Sequence, residues 1–198
     1  MIASTAIVHP GVRLGERVMV EDYCIIGIPP GGSLEDVETV IGDDAVIRAH
    51  TIIYAGNVIG ARFQTGNKAN IRELNTIGDD VSIGTLSVLE HHVRIEDGAR
   101  IHTQAFVPEY SVLEAGCWIG PQAVLTNARY PMAPGTKQSL SGPVVESRAI
   151  VGANSTLLPG VRIGARSLVG AGSVVTRDVP PGVIAAGIPA KVIREIHY

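Results

Sequence analysis

Residues Ile41 to Leu125 read IGDDAV IRAHTI IYAGNV IGARFQ TGNKAN IRELNT IGDDVS IGTLSV LEHHVR IEDGAR IHTQAF VPEYSV LEAGCW IGPQAV L, and the stretch divides into sixes without a slip. Fourteen of the fifteen residues that open these groups are aliphatic, Thr65 being the exception. Four positions later comes a second inward pattern, mostly small: Ala45, Thr51, Ala69, Val81, Ser87, Val93, Ala99, Ala105, Ser111, Cys117 and Ala123. Glycine often follows the aliphatic residue, as at Gly42, Gly60, Gly66, Gly78, Gly84 and Gly120. A fixed short period of this kind marks a repeat architecture.

A helix repeats at 3.6 residues and a strand at 2, so neither alone gives six. A short strand followed by a tight turn does. The aliphatic and small residues then point inward, and three such units close a triangular coil of eighteen residues. Successive coils stack as parallel strands roughly 4.8 Å apart. The expected fold is all-β, a parallel β-helix of hexapeptide repeats.

Working outward, the beat already runs at Ile2, Val8, Leu14, Val20 and Ile26, breaks over 27–40, and resumes at Ile41. The interruption GIPPGGSLEDVETV reads as a loop leaving a corner. A second, longer excursion is expected over 126–150, where TNARYPMAPGTKQSLSGP has no period. Long loops on rigid scaffolds tend to carry function. The beat returns at Val151, Leu157, Ile163, Val169 and Val175. The β-helix is therefore expected over 1–180. Residues 181–198 should form a cap, with Pro189–Ile196 as a short closing helix or tail, because an uncapped solenoid exposes its core and strand edges.

Composition agrees. The 198 residues are 45% hydrophobic but only 4% aromatic, and the net charge of −3 gives no reason to expect nucleic acid or a membrane surface as partner. Cys24 and Cys117 fall on the small inward position and read as buried hydrophobes, not as a disulfide, metal ligands or a nucleophile. The opening MIASTAIVHPGV lacks the apolar run of a secretory signal and no stretch is long enough to span a bilayer, so a cytoplasmic location is expected.

The period also sorts the outward residues. Two past Ile71, Leu89, Val107 and Leu125 lie Glu73, His91, Glu109 and Asn127, spaced by eighteen and thus stacked on one corner. The next corner carries Asp43, Ala61, Asp79, Asp97 and Ala115, and the third Ala49, Asn67, Thr85, Thr103 and Pro121. Only the first column combines a histidine, two carboxylates and an amide, and the long loop leaves there. An outward histidine at a turn is more often solvated than catalytic, but carboxylates one coil away on each side are what would orient a general base. His102 lies on another corner and meets His91 only across a subunit interface. His92 and His50 read as surface residues, and Trp118 as an oligomer contact.

On these residues the chain resembles the hexapeptide-repeat acyltransferases, left-handed β-helix enzymes that work as homotrimers with acyl-coenzyme A. The ending Ala186-Gly187-Ile188-Pro189-Ala190-Lys191-Val192-Ile193 is similar to the G-x-P-A-K close of the acetyltransferases. Leu89-Glu90-His91-His92-Val93 resembles the coil that carries the base histidine in sugar N-acetyltransferases. Arg100-Ile101-His102 and Leu125-Thr126-Asn127 resemble segments of enzymes acting on nucleotide-linked amino sugars, where Asp commonly follows; here it is Ala128. Some relatives keep the catalytic histidine in the long loop. This loop has none, which leaves His91 or His102.

The resemblance implies direct acetyl transfer from acetyl-CoA to the amine of an amino sugar, in active sites between subunits. His91 would be the base, oriented by Glu73 or Glu109, while Asn127 and a neighbour's His102 hold the acceptor and Arg72 contacts substrate. Gly170, Ala171 and Gly172 would let the pantetheine arm pass, with Arg177 or Lys191 at its phosphates. Amine and hydroxyl acceptors are not separated, so O-acetylation of a small sugar or antibiotic is an alternative. The same fold carries γ-type carbonic anhydrases, whose zinc needs two histidines five apart; no H-x-x-x-x-H occurs here, and no metal is expected. A structural trimer without activity is a further alternative.

Overall fold

The computed structural model describes residues 1–31 and 37–196. Three parallel sheets run side by side along one axis. Sheet I begins with Ile7–Val8 and ends with Val174–Val175; sheet II runs from Val12–Leu14 to Arg162–Ile163; sheet III starts at Met19–Val20 and finishes with the C-terminal strands. The chain visits I, II and III in turn, so each circuit is one coil. Asn70 pairs with Val88 and Val88 with Phe106, the step of eighteen that the period predicts.

The core is a column of the aliphatic residues. Ile47, Ile53, Ile71, Leu89, Val107, Leu113, Ile119 and Leu125 are fully buried, and Ala69, Ala105 and Ala123 fill the narrower positions beside them. Thr65 is accommodated because its hydroxyl lies 3.1 Å from that of Thr51, also buried, and accepts the Arg48 N–H at 2.9 Å. A buried polar group tolerates this site only when so paired.

Both loop boundaries differ from expectation. Ile25–Ile28 and Thr39–Ile41 are strands, so the first excursion is narrower than 27–40, and its residues 32–36 lie outside the described residues. The second ends earlier than residue 150. Val144–Val145 is a sheet II strand paired with Val112–Leu113 and Arg162–Ile163. Val145 sits on the beat, six before Val151, but the Ser-Gly-Pro ahead of it masked the repeat. Gly142 lets the loop rejoin the coil, because a Cβ there would run into the backbone of Tyr110 and Ser111.

The cap is not a helix. Val183–Gly187 joins sheet III beside Leu168–Val169, and Ala190–Glu195 folds back antiparallel onto it. The alternation of small and branched residues in VIAAGIPAKVIRE suits a hairpin better than a helix. Ala190–Glu195 is thereby the terminal strand of sheet III.

Candidate active site

The I–II corner is where the chain leaves its circuit most often. The loops after Ile25–Ile28 and after Val124–Leu125 both depart there, and the turn of Glu90-His91-His92 lies on the same corner. Leu89 anchors that turn from inside the core, His92 takes a left-handed conformation (φ 57°), and Val93 re-enters the core. Histidine, like Asn and Asp, visits this region more readily than most residues.

What fixes the turn is a buried amide. Asn75 Oδ1 accepts the Val93 N–H at 2.7 Å, and its Nδ2 donates to the Arg72 carbonyl at 2.8 Å. Asn57 repeats the arrangement one coil away, its Oδ1 accepting the Asn75 N–H at 3.0 Å. Both asparagines are buried on the inward small position. The sequence signal is an amide four after Ile53 and Ile71, larger than the small residues that mostly fill this position.

On this scaffold the expected column assembles. Asn127 Nδ2 donates to Glu109 Oε2 at 2.6 Å, and Glu109 Oε1 lies 3.6 Å from His91 Nε2. His91 Nδ1 lies 2.8 Å from His92 Nδ1, and Tyr110 packs edge-on to His91 with ring centroids 6.1 Å apart. Asn127 is therefore bound to the carboxylate beside the histidine instead of standing free. His92 is exposed, yet its ring is the nearest polar partner of His91; periodicity alone missed this contact and that of Tyr110.

Glu73 and Arg72 act as a pair. Arg72 donates to the two Glu73 carboxylate oxygens at 2.8 and 2.9 Å, reaches Glu90 at 3.4 Å, and stacks over Tyr54 at 5.1 Å from its centroid. Burial by itself pushes the Glu73 carboxyl up, but the Arg72 fork reverses this and holds it below the ordinary value, as an anion. The Glu73 carboxylate is thus occupied by Arg72, and Glu109 is the one facing His91.

The loop over 126–142 closes a cavity of ≈ 530 Å³ against the coil, lined by Asn127, Arg129, Tyr130, Thr136, Ser141 and Pro159 among others. Asn127 belongs both to this wall and to the Glu109 contact, so this one residue links the cavity wall to the histidine column. Arg129 and Tyr130 were not singled out in the sequence because the loop has no period to place them.

The remaining candidates lie elsewhere in the protomer. His102 follows a sheet III strand and packs on Trp118 with centroids 4.4 Å apart. Burial, helped by Arg100, moves its pKa down, favouring the neutral ring. Gly170, Ala171 and Gly172 occupy the III–I corner; a Cβ at Gly172 would meet open space, whereas one at Gly170 would come 2.8 Å from the Ala186 Cβ of the cap. Arg177 lies on the I–II corner four strand pairings beyond His91, about 19 Å along the axis at the usual strand spacing. Lys191 is on the closing hairpin. The Cys117 thiol is pushed up to about 12, first by burial and then by Glu114 and Glu96, and Cys24 is also raised by burial. Neither thiol is an available nucleophile. No helix among the described residues is long and apolar enough to cross a membrane.

Comparison with known proteins agrees with this architecture. The family described as "Bacterial transferase hexapeptide (six repeats)" matches residues 142–177. The bifunctional protein GlmU of Clostridioides difficile is 29% identical over 198 residues, 98% of this chain but 39% of the relative. The galactoside O-acetyltransferase of Escherichia coli is 28% identical over 160 residues, 76% of this chain and 79% of the relative. Among solved structures, a UDP-N-acetylglucosamine acyltransferase from Campylobacter jejuni superposes with a TM-score of 0.75 at 15% identity, covering 98% of this chain and 75% of that one. This likeness gives the fold, the left-handed parallel β-helix. In its hexapeptide period and these relatives, the chain is similar to the hexapeptide-repeat acyltransferases.

Proposed function

We propose that this chain is an acetyl-CoA-dependent acetyltransferase that passes acetyl directly to an amino sugar, with His91 as general base. The observation that carries the reading is the His91 ring held between His92 and Glu109, with Asn127 clamping Glu109 and lining the loop cavity. His91 Nε2 takes a proton from the acceptor as its nitrogen attacks the thioester carbonyl. Glu109 offsets the positive charge that then builds on the imidazole. Backbone N–H groups of neighbouring turns receive the tetrahedral oxyanion, and collapse expels the thiolate, which regains the proton from His91. No acyl-enzyme is needed, consistent with two buried, protonated cysteines.

The proposed assembly is a homotrimer with sites between subunits. Sheet I turns Ile7, Ile25, Ile52, Val88, Phe106 and Val124 outward and has no charged residue in its strands, whereas sheet II carries Arg13, Arg94 and Arg162, and sheet III sets Arg100 among Met19, Val46, Trp118, Ile150 and Leu168. A second copy is the natural cover for an apolar face. Sheet I is bounded by the I–II corner, with His91, and the III–I corner, with Gly170–Gly172 and the end of the His102 strand. Packing sheet I around a threefold axis sets one protomer's I–II corner against its neighbour's III–I corner. That brings the proposed base beside a neighbour's His102, with the proposed pantetheine passage three strand pairings, about 14 Å, further along the same corner.

Likeness to the galactoside O-acetyltransferase favours a second reading, transfer to a sugar hydroxyl. Coenzyme A release measured against nucleotide-linked amino sugars and against galactosides separates the two. Turnover only on hydroxyl acceptors would replace the N-acetyl reading, and no turnover on either panel would remove both.

A further inference from the structure

The two adjacent histidines make an unusual contact. Their Nδ1 atoms are 2.8 Å apart, a hydrogen bond that needs one proton between two nitrogens. The other His91 nitrogen, Nε2, is 3.6 Å from Glu109 Oε1, too long for an N–H to be donating there. We propose that His92 is a positioning residue that sets the tautomer of His91: His92 Nδ1 accepts the His91 Nδ1–H, leaving the Nε2 lone pair open toward the gap before Glu109. This rests on the reading of His91 as the base.

A neutral imidazole carries one N–H, so a base that works at Nε2 must hold its proton at Nδ1. Without an acceptor beside Nδ1, the Glu109 carboxylate draws the proton to Nε2 and the base is lost. When His91 takes the acceptor's proton at Nε2, both its nitrogens carry hydrogen. Glu109 then faces the new N–H and His92 still accepts the old one, so the imidazolium is satisfied on both sides. His92 retains its own proton on Nε2 throughout, and proton count is conserved. The left-handed turn (φ 57°) brings consecutive side chains into this contact. Tyr110, with centroids 5.7 Å from His92 and 6.1 Å from His91, walls both rings.

The test compares His92→Ala with His92→Asp in the full-length protein. Aspartate places a carboxylate oxygen where Nδ1 stands, accepts but cannot donate when ionised, and tolerates the left-handed turn. Nitrogen-15 NMR of the histidine side chains reads the His91 tautomer without any substrate. In the wild type and His92→Asp the proton is expected on Nδ1; in His92→Ala it moves to Nε2. With a working acceptor, His92→Ala lowers kcat by about 100-fold, the low end for general-base catalysis, with KM within about twofold. His92→Asp recovers most of that loss. An unchanged His91 tautomer in His92→Ala overturns the inference, as does an Nε2–H tautomer in His92→Asp. Should the alanine variant not fold, the aspartate spectrum decides alone. Absence of wild-type turnover would count against the proposed function and leave the tautomer result standing.

Discussion

Asn127 Nδ2 donates a 2.6 Å hydrogen bond to Glu109 Oε2, joining the base of the long loop to the carboxylate that faces His91. The loop cavity and the histidine column share Asn127 through this contact. Asn127→Ala should release Glu109 and lower kcat by about tenfold or more while the fold persists. Asn127→Asp should be worse than Ala, because it sets a carboxylate against a carboxylate. Steady-state kinetics with circular dichroism as a folding control checks the order; Asp equal to wild type would remove Asn127 from the site.

The buried Asn75 is expected to matter for stability and for the site together. Asn75→Leu leaves the Val93 N–H without its acceptor inside the core, while the Arg72 carbonyl keeps the Asn57 Nδ2 donor at 2.8 Å. The cost is about 1–3 kcal/mol for this one orphaned group, seen as a fall in Tm or in the denaturant midpoint. An exposed asparagine outside the left-handed region, such as Asn67, changed to Leu, serves as the comparison. Equal effects would show that the turn is held by other means.

His102 gives a pH dependence with a definite sign. Its folded pKa is lowered from 6.5 by burial and by Arg100. The folded state therefore resists the proton that the unfolded chain accepts. Stability is unaffected by this group above pH 6.5 and declines as pH falls from 6.5 toward the folded value. In His102→Gln that part of the slope should vanish in urea titrations across this window. An identical slope in both proteins would contradict the environment described for the ring.

The cysteines give a test of direct transfer. With Cys117 pushed up to about 12 and Cys24 raised by burial, neither should react with a thiol reagent at neutral pH until the protein is unfolded. Cys117→Ala and Cys24→Ala should retain turnover. Loss of turnover in a folded Cys→Ala variant, or a trapped acyl-cysteine by mass spectrometry, would point to an acyl-enzyme.

The repeat made the backbone legible because a period of six specifies which residues point inward. The stack of Glu73, His91, Glu109 and Asn127 on one corner followed directly from that. Side-chain partners did not follow, since position along a coil does not choose a rotamer. Glu73 sits one coil from His91, as Glu109 does, yet it faces the Arg72 next to it. Asn127 bonds its stack neighbour, and His92 meets His91 through a left-handed turn. Aperiodic segments were hardest to read: the loop end before Val145 was hidden by Gly142 and Pro143, and the closing hairpin had no repeat to announce it.

The most direct test of the account is acetyl-CoA-dependent coenzyme A release, measured for wild type and His91→Ala across amino-sugar and hydroxyl acceptors. The prediction is turnover on an amino sugar by the wild type and a loss of about 10²- to 10⁴-fold in the variant, with fold and assembly intact. Wild-type turnover that persists in His91→Ala would contradict the central claim and move the base elsewhere.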